Sequence, residues 1–544
     1  MAMATRIITS RHVFDGLGDR TRPAAVVVDG DRIVAVVDPD HAHLYQDSST
    51  QVEDWGDAFV CAGLHDAHQH VFHSALYPSA LAMEYCGTSE ADCAARMYEF
   101  AKDRPWGMWA LSHGWRDMLW DPPIAPTRLS LDAYFPTTPA AMYSGDSHTL
   151  WLNTCAMREL GIDEDTEPPA GGSFDRDENG RLTGVLREGA GMYYVARVLE
   201  SLPREQLNRV FRDWLAELNR RGVTSVCDMG LSAIPGCDAV LDDVWSDLDR
   251  AGELTVRGHL FPTLPLDGDL SRIQRLQSEL TGPMLRAPGV KQFFDGVSSA
   301  HTAWLLEPYA NPRFPGDCGH PAIPAVQMRS IVLKAAEAGI AVRIHTIGDA
   351  AVHEGVSIFE EARERFGAPS QGRNCLEHIE NLERGDVARM RDAGIVASVQ
   401  PQHIVIDVTQ PARDLGEERA SFMWPFRTYL DSGVPMAFGT DAPCVPCDPA
   451  AIVHDAVTRR DASGEPSGGW LPEQRVSAAE AVRALTLGGA VAVGREHELG
   501  TLERGKLADL VVIDRNPLSD NPDALHDARV LATYVGGRKV FDGV

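Results

Sequence analysis

The chain has 544 residues, with 50 Lys and Arg against 78 Asp and Glu, for a formal net charge of -28. That acidity argues against a nucleic-acid partner, for which a basic surface is the usual footprint. The length allows three or four domains of about 150 residues, or one large α/β barrel of about 250 residues or more with additions. Hydrophobic residues make up 44% of the chain, enough for a large core.

The first residues have no signal-peptide layout, and no stretch approaches the roughly 20 apolar residues that span a bilayer, so a cytoplasmic protein without a membrane partner is expected. Residues 5 to 60 read as short β segments. Ala24 to Val37 forms two β-rich runs around Asp29-Gly30-Asp31, a hairpin signal. The far end has the same texture: Gly500 to Asp514 reads as turn then strand, and Val530–Val535 with Gly537–Phe541 as a hairpin. Two β-rich ends around one long middle predict that the termini pair into a single small β domain.

Between them, apolar strand-like runs alternate with helical stretches, the pattern of βα units. The predicted strands are Leu64–His70, Ala140–Ser144, Val223–Asp228, Val256–Phe261, Val290–Asp295, Ala341–His345, Cys375–His378, Ile395–Gln400 and Met436–Asp441. That is one more than an eight-stranded barrel needs. The predicted helices include Glu205–Arg221, Ala325–Ala338 and Asp349–Phe366. The stretch of about 80–200 is too long for one βα connection and reads as an insertion over a mouth. The ten Cys residues are scattered, so they are expected as reduced thiols, including the lone CxxC pair Cys444 and Cys447.

Several strand-like runs end in a metal-capable residue. His68-Gln69-His70 closes the first, and by alternation Asp66, His68 and His70 share a face while His65 points away. Two imidazoles so placed can reach one ion. Lys291 lies inside a later strand; His345, His378 and Asp441 each end one. In an α/β barrel such ends converge at a single mouth. Arg343 shares a strand face with His345 and is a candidate donor to an oxyanion. Glu377, next to His378, faces away by the same alternation. No HxxE pair stands at His345, which counts against a deaminase. Trp106, Trp109, Trp115, Trp120 and Trp151 crowd the insertion, with Trp304 and Trp424 elsewhere; Trp115, His148, Arg343 and Trp304 are the candidate substrate contacts.

The order HxH, Lys, His, His, Asp resembles the metal-dependent amidohydrolase superfamily, and most closely its family 3, the group that includes N-substituted formamide deformylase. The likeness runs through Gly63-Leu-His-Asp66-Ala-His68-Gln-His70, Gly145 to Asn153, Gly171 to Leu186, Val290 to Gly296, His345 to Ala351, Glu377-His378, Gly439-Thr-Asp441-Ala-Pro443 and Gly500 to Val512. It departs at Ala62 and His65, where the pattern has proline and an apolar residue.

The resemblance implies an α/β fold: a distorted (β/α)8 TIM barrel over 63–492, with an accessory β-sandwich from 1–62 and 493–544. It implies zinc or another divalent metal, one or two ions, on His68, His70, Lys291, His345, His378 and Asp441. Lys291 would bridge two ions if carboxylated, and Asp441 would be general base and acid. The implied reaction is hydrolysis of a small amide or N-substituted formamide. A cyclic amidase, lactonase or deaminase on the same fold and a non-catalytic scaffold are the alternatives, and a homodimer is left open.

Overall fold

The structure is a computed structural model, and it describes residues 3–104, 108–145, 149–169, 172–231 and 238–544. The chain divides into two compact units. One comprises 1–69, 215–229 and 249–544; the other comprises 70–214 and 230–248.

In the first unit both termini enter one eight-stranded sheet. Leu510–Ile513 pairs antiparallel with Phe59–Ala62 (Leu510 opposite Ala62), and Val530–Val535 and Arg538–Asp542 follow at that end. The run Ala24-Ala-Val-Val-Val28 is continuously apolar because both faces of its strand are covered. Ala24, Val26 and Val28 pack with Val60, Leu510, Val512 and Tyr534, whereas Ala25 and Val27 pack with Ile7, Val34 and Tyr45. Asp509, at the entry to the last third of this sheet, forms a bidentate buried pair with Arg257 at 2.7 and 2.8 Å.

The same unit holds two parallel sheets. Strands β1 (Leu64–Gln69), β2 (Val223–Met229) and β3 (Arg257–Phe261) lie side by side, with the short Leu285–Arg286 beyond β3. Strands β4 (Gly289–Phe293), β5 (Ala341–Thr346), β6 (Cys375–His378), β7 (Val396–Val399) and β8 (Met436–Phe438) form the other in that order. All these pairings are parallel. Helices Ala325–Glu337 and Asp349–Phe366 flank β5, and the second ends at Gly367, whose φ of 81° stops it. Isolated parallel bridges join Gln69 to Ala442 and Thr263 to Lys291.

The second unit is built on a six-stranded sheet in the order Gly172–Arg176, Leu182–Glu188, Thr149–Leu152, Ala140–Ser144, Ala110–Trp115, Ala82–Glu84. The surplus ninth strand of the sequence pattern, Ala140–Ser144, belongs here. No helix among the described residues is long and apolar enough to cross a membrane.

Candidate metal centre

β1 delivers His68, and the chain then returns to it from β8. Gly439 makes that return possible: a Cβ on it would lie 2.5 Å from the His68 nitrogen. Asp441 N donates to His68 O at 2.7 Å, and Asp441 itself is left-handed with φ 61°. Asp66 clamps the junction, accepting from Thr440 N (2.9 Å), Thr440 Oγ1 (2.6 Å) and Gln69 Nε2 (2.8 Å). Asp66 is therefore a fastener, and burial pushes its carboxyl up to about 6. His68 Nε2 lies 3.4 Å from Asp441 Oδ1.

β5 and β6 add two more imidazoles. The rings of His68 and His378 are 4.9 Å apart between centroids, and those of His345 and His378 are 4.5 Å apart. His345 Nε2 meets the Gly296 carbonyl at 3.1 Å, and His378 Nδ1 meets Gln400 Oε1 at 2.8 Å. Burial drives His68 down to about 4, His345 to about 3 and His378 well below its ordinary value, so all three are neutral near pH 7 and keep a lone pair. Lys291, on β4, is fully buried. Its Nζ has no hydrogen-bond partner among the described residues and sits 4.9 Å from the Phe293 ring centre. Burial lowers it to about 8. Asp295 is not its partner: that carboxylate accepts from the backbone of Trp304, Ile347 and Gly348. His70 is buried and opens the second unit, one residue beyond β1.

Three expectations are corrected. Glu377 does not face away: its Oε2 lies 2.6 Å from His68 Nδ1. Alternation fails there because β6 ends at His378 with φ 70°. Arg343 is not a donor at the mouth. Its Nε donates to Glu377 Oε1 at 2.5 Å and its Nη2 to Ala67 O and Ser398 Oγ, and the side chain has no exposed surface. Burial alone would push Glu377 up, but Arg343 and His68 hold it well below the usual carboxylate range. Trp115 is a packing residue. It is 1% exposed in a core with Trp120, Trp151 and Met142, and its indole N–H donates to Met142 O at 2.9 Å. Trp304 is half-buried, its ring 5.5 Å from that of Phe294. His148 and Trp106 lie outside the described residues.

Sequence reading missed His403, on the turn Pro401–Val405 that follows β7. Its Nε2 stands 3.6 Å from Asp441 Oδ2, and its Nδ1 stands 4.0 Å from Glu380 Oε1. His378, His403 and Asp441 offer donor atoms within 4.8 Å of one another. The only available signal was position: it follows a strand end, as His378 does.

The donor set suits a divalent ion of intermediate softness: neutral imidazoles and a carboxylate, beside a buried lysine without a hydrogen-bond partner among the described residues, whose lowered pKa eases loss of its proton. Imidazoles and a carboxylate are thus gathered where parallel strands end, a donor set that could hold a divalent ion. The comparisons give the family. The model of the amidohydrolase family matches residues 51–541, and the chain belongs to that family. It is a hydrolase acting on carbon–nitrogen bonds.

Among similar proteins, LONG AFTER FAR-RED 3 of Arabidopsis thaliana is 29% identical over 489 residues, 89% of this chain and 82% of that protein. The N-substituted formamide deformylase of Arthrobacter pascens is 27% identical over 535 residues, 94% of each chain. An uncharacterized metal-dependent hydrolase from Pyrococcus horikoshii shares the fold, with TM-score 0.76 at 23% identity over 95% of this chain and 99% of that one.

Proposed function

We propose that this protein hydrolyses a small non-peptide amide, an N-substituted formamide being the leading candidate, at a zinc centre. The observation that carries this is the gathering of His68, His345, His378 and Asp441 in one buried cluster around the unpartnered Lys291. In this reading β1–β8 form a distorted (β/α)8 barrel over 63–492. The bridges from Gln69 to Ala442 and from Thr263 to Lys291 support closure: the first links β1 to the chain just after β8, and the second links the chain just after β3 to β4. Residues 1–62 and 493–544 form the accessory sandwich, and about 80–200 form the insertion.

His68, His70 and Asp441 would hold one ion. His345 and His378 complete that set or hold a second ion, which a carboxylated Lys291 would share. What a divalent ion supplies when bound is a water of lowered pKa and a polarised carbonyl. Asp441 accepts the proton of the attacking water on its carboxylate and returns a proton to the leaving nitrogen. His403, neutral because burial lowers it, donates an N–H towards the oxygen on which negative charge develops. It takes the role that Arg343 cannot fill. Trp304, half-buried and packed on the core residue Phe294, is the aromatic candidate for contact with an aromatic or aliphatic substituent.

The test is a screen of metal-replete protein against N-substituted formamides, N-acyl amines, lactams and esters, with metal analysis of the same sample. The expected result is one or two equivalents of zinc and chelator-sensitive amide cleavage. Two equivalents falling to one in Lys291→Ala would support the bridging lysine. Ester or lactone turnover without amide turnover would favour the lactonase reading.

A further inference from the structure

Three imidazoles of the cluster, His68, His345 and His378, have a hydrogen-bond partner on one ring nitrogen, and these three partners differ in kind. His345 meets a backbone carbonyl, His378 a side-chain amide, and His68 a carboxylate. Only the last carries charge, and it is held with unusual care. Glu377 and Arg343 have no exposed side-chain surface, and His68 has 1%. The Arg343 guanidinium donates to Glu377 Oε1 at 2.5 Å, to Ser398 Oγ at 2.8 Å and to Ala67 O at 2.9 Å. It thus grips both the carboxylate and the backbone of the residue preceding His68. β5, β6 and β7 each contribute one group to this arrangement, and β1 contributes two, the His68 ring and the Ala67 carbonyl.

Burying an Arg–Glu pair is not a good way to gain stability, because desolvation offsets the attraction. A buried pair whose second oxygen reaches an imidazole has a different use. A carboxylate paired with a guanidinium only accepts, so Nδ1 of His68 must carry the proton and Nε2 the lone pair. A carboxylate in that position also makes the imidazole a stronger donor.

We infer that Glu377, anchored by Arg343, is a positioning residue for His68: it fixes the ring's tautomer and direction so that Nε2 is presented to a divalent ion. This rests on His68 being a ligand, as proposed above, and it adds two residues whose effect on metal affinity is exerted through His68 alone.

The experiment is a Zn2+ titration of the metal-free full-length chain against a chromophoric chelator, for wild type, Glu377→Gln, Glu377→Asp, His68→Ala and the double variant His68→Ala/Glu377→Gln. Thermal melting of each metal-free variant reports the fold independently. Glu377→Gln removes the charge; Glu377→Asp keeps it but withdraws it from Nδ1. Each is expected to weaken Zn2+ binding about 10- to 100-fold. In the His68→Ala background, Glu377→Gln is expected to cost nothing further. Should Glu377→Gln fail to fold, Glu377→Asp carries the comparison.

Unchanged Zn2+ affinity in a folded Glu377 variant overturns the inference while leaving the metal centre intact, and so does full additivity in the double variant. A wild-type chain that takes up no Zn2+ overturns the metal centre itself, and the inference with it.

Discussion

Two buried histidine clusters lie in the same unit, and they are dressed in opposite ways. At the strand ends, His68, His345, His378 and His403 stand among Asp441, Glu377 and Glu380. Elsewhere on β1, β2 and β3, His65, Cys227 and His259 also bring donor atoms within 4.8 Å of one another. There the rings of His65 and His259 stack at 5.0 Å, His65 Nε2 is 3.6 Å from the Cys227 sulfur, and the charged neighbour is Arg495, 3.2 Å from His259 Nε2. A guanidinium uses up the lone pair that a metal would need and repels the ion. Proximity of His and Cys therefore does not by itself make a metal centre: carboxylates beside the imidazoles favour an ion, whereas a guanidinium on the ring nitrogen opposes one. The first cluster is read as a ligand set and the second as polar packing.

The comparison can be broken most sharply at Asp441. Asp441→Asn should lower turnover by about 10²- to 10⁴-fold, the usual contribution of a general base, while part of the metal is retained. Steady-state rates and metal content of the same preparation read both, and near-normal turnover would remove Asp441 from its role. Next, His378→Ala should weaken Zn2+ binding by at least about tenfold, whereas Cys227→Ala should leave it unchanged. A loss in the second variant equal to that in the first would put an ion where the guanidinium argument forbids one.

A smaller effect comes from pH. Burial holds His65 at about 3 and His259 well below its ordinary value, so in the folded chain both stay neutral where the unfolded chain protonates them. Their contribution is fully present above the unfolded value of about 6.5 and is lost as pH falls below it, by roughly 1.4 kcal/mol per pH unit for each histidine. Metal-free His65→Leu should accordingly lose about 2 kcal/mol less than wild type between pH 7 and pH 5 in urea unfolding. An equal loss would mean that His65 is protonated in the folded state. Smallest of all, Trp115→Phe should lower the melting temperature and leave KM unaltered, as expected of a core residue; a raised KM would return it to the substrate pocket.

Much of the site was legible because strand ends are legible. His68, His345, His378 and Asp441 each close an apolar run, and parallel βα units carry such ends to one side. What failed was face and depth. Alternation assigns Glu377 and His378 to opposite faces, but the positive φ at His378 ends the strand conformation, so both reach the cluster. For Arg343 alternation names the right face, but two residues along a strand are about 6.6 Å of depth, which sets its head below the mouth and against Glu377. His403 follows a strand end without being on the strand, so no periodicity flags it. In the fold, Ala140–Ser144 reads like any buried parallel strand, and an apolar run does not say which sheet it joins. The pairing of the two termini was legible from their shared β texture and hairpin turns, such as Gly30 and Gly536-Gly537, all at positive φ.

The central claim is that the strand-end cluster holds a divalent ion and the His65 cluster does not. Crystals grown with Zn2+ and measured on both sides of the zinc absorption edge test it most directly. The account predicts an anomalous peak among His68, His70, His345, His378 and Asp441, with none at His65, Cys227 and His259. A peak confined to the second cluster, or no peak at the first in zinc-replete crystals, would contradict it.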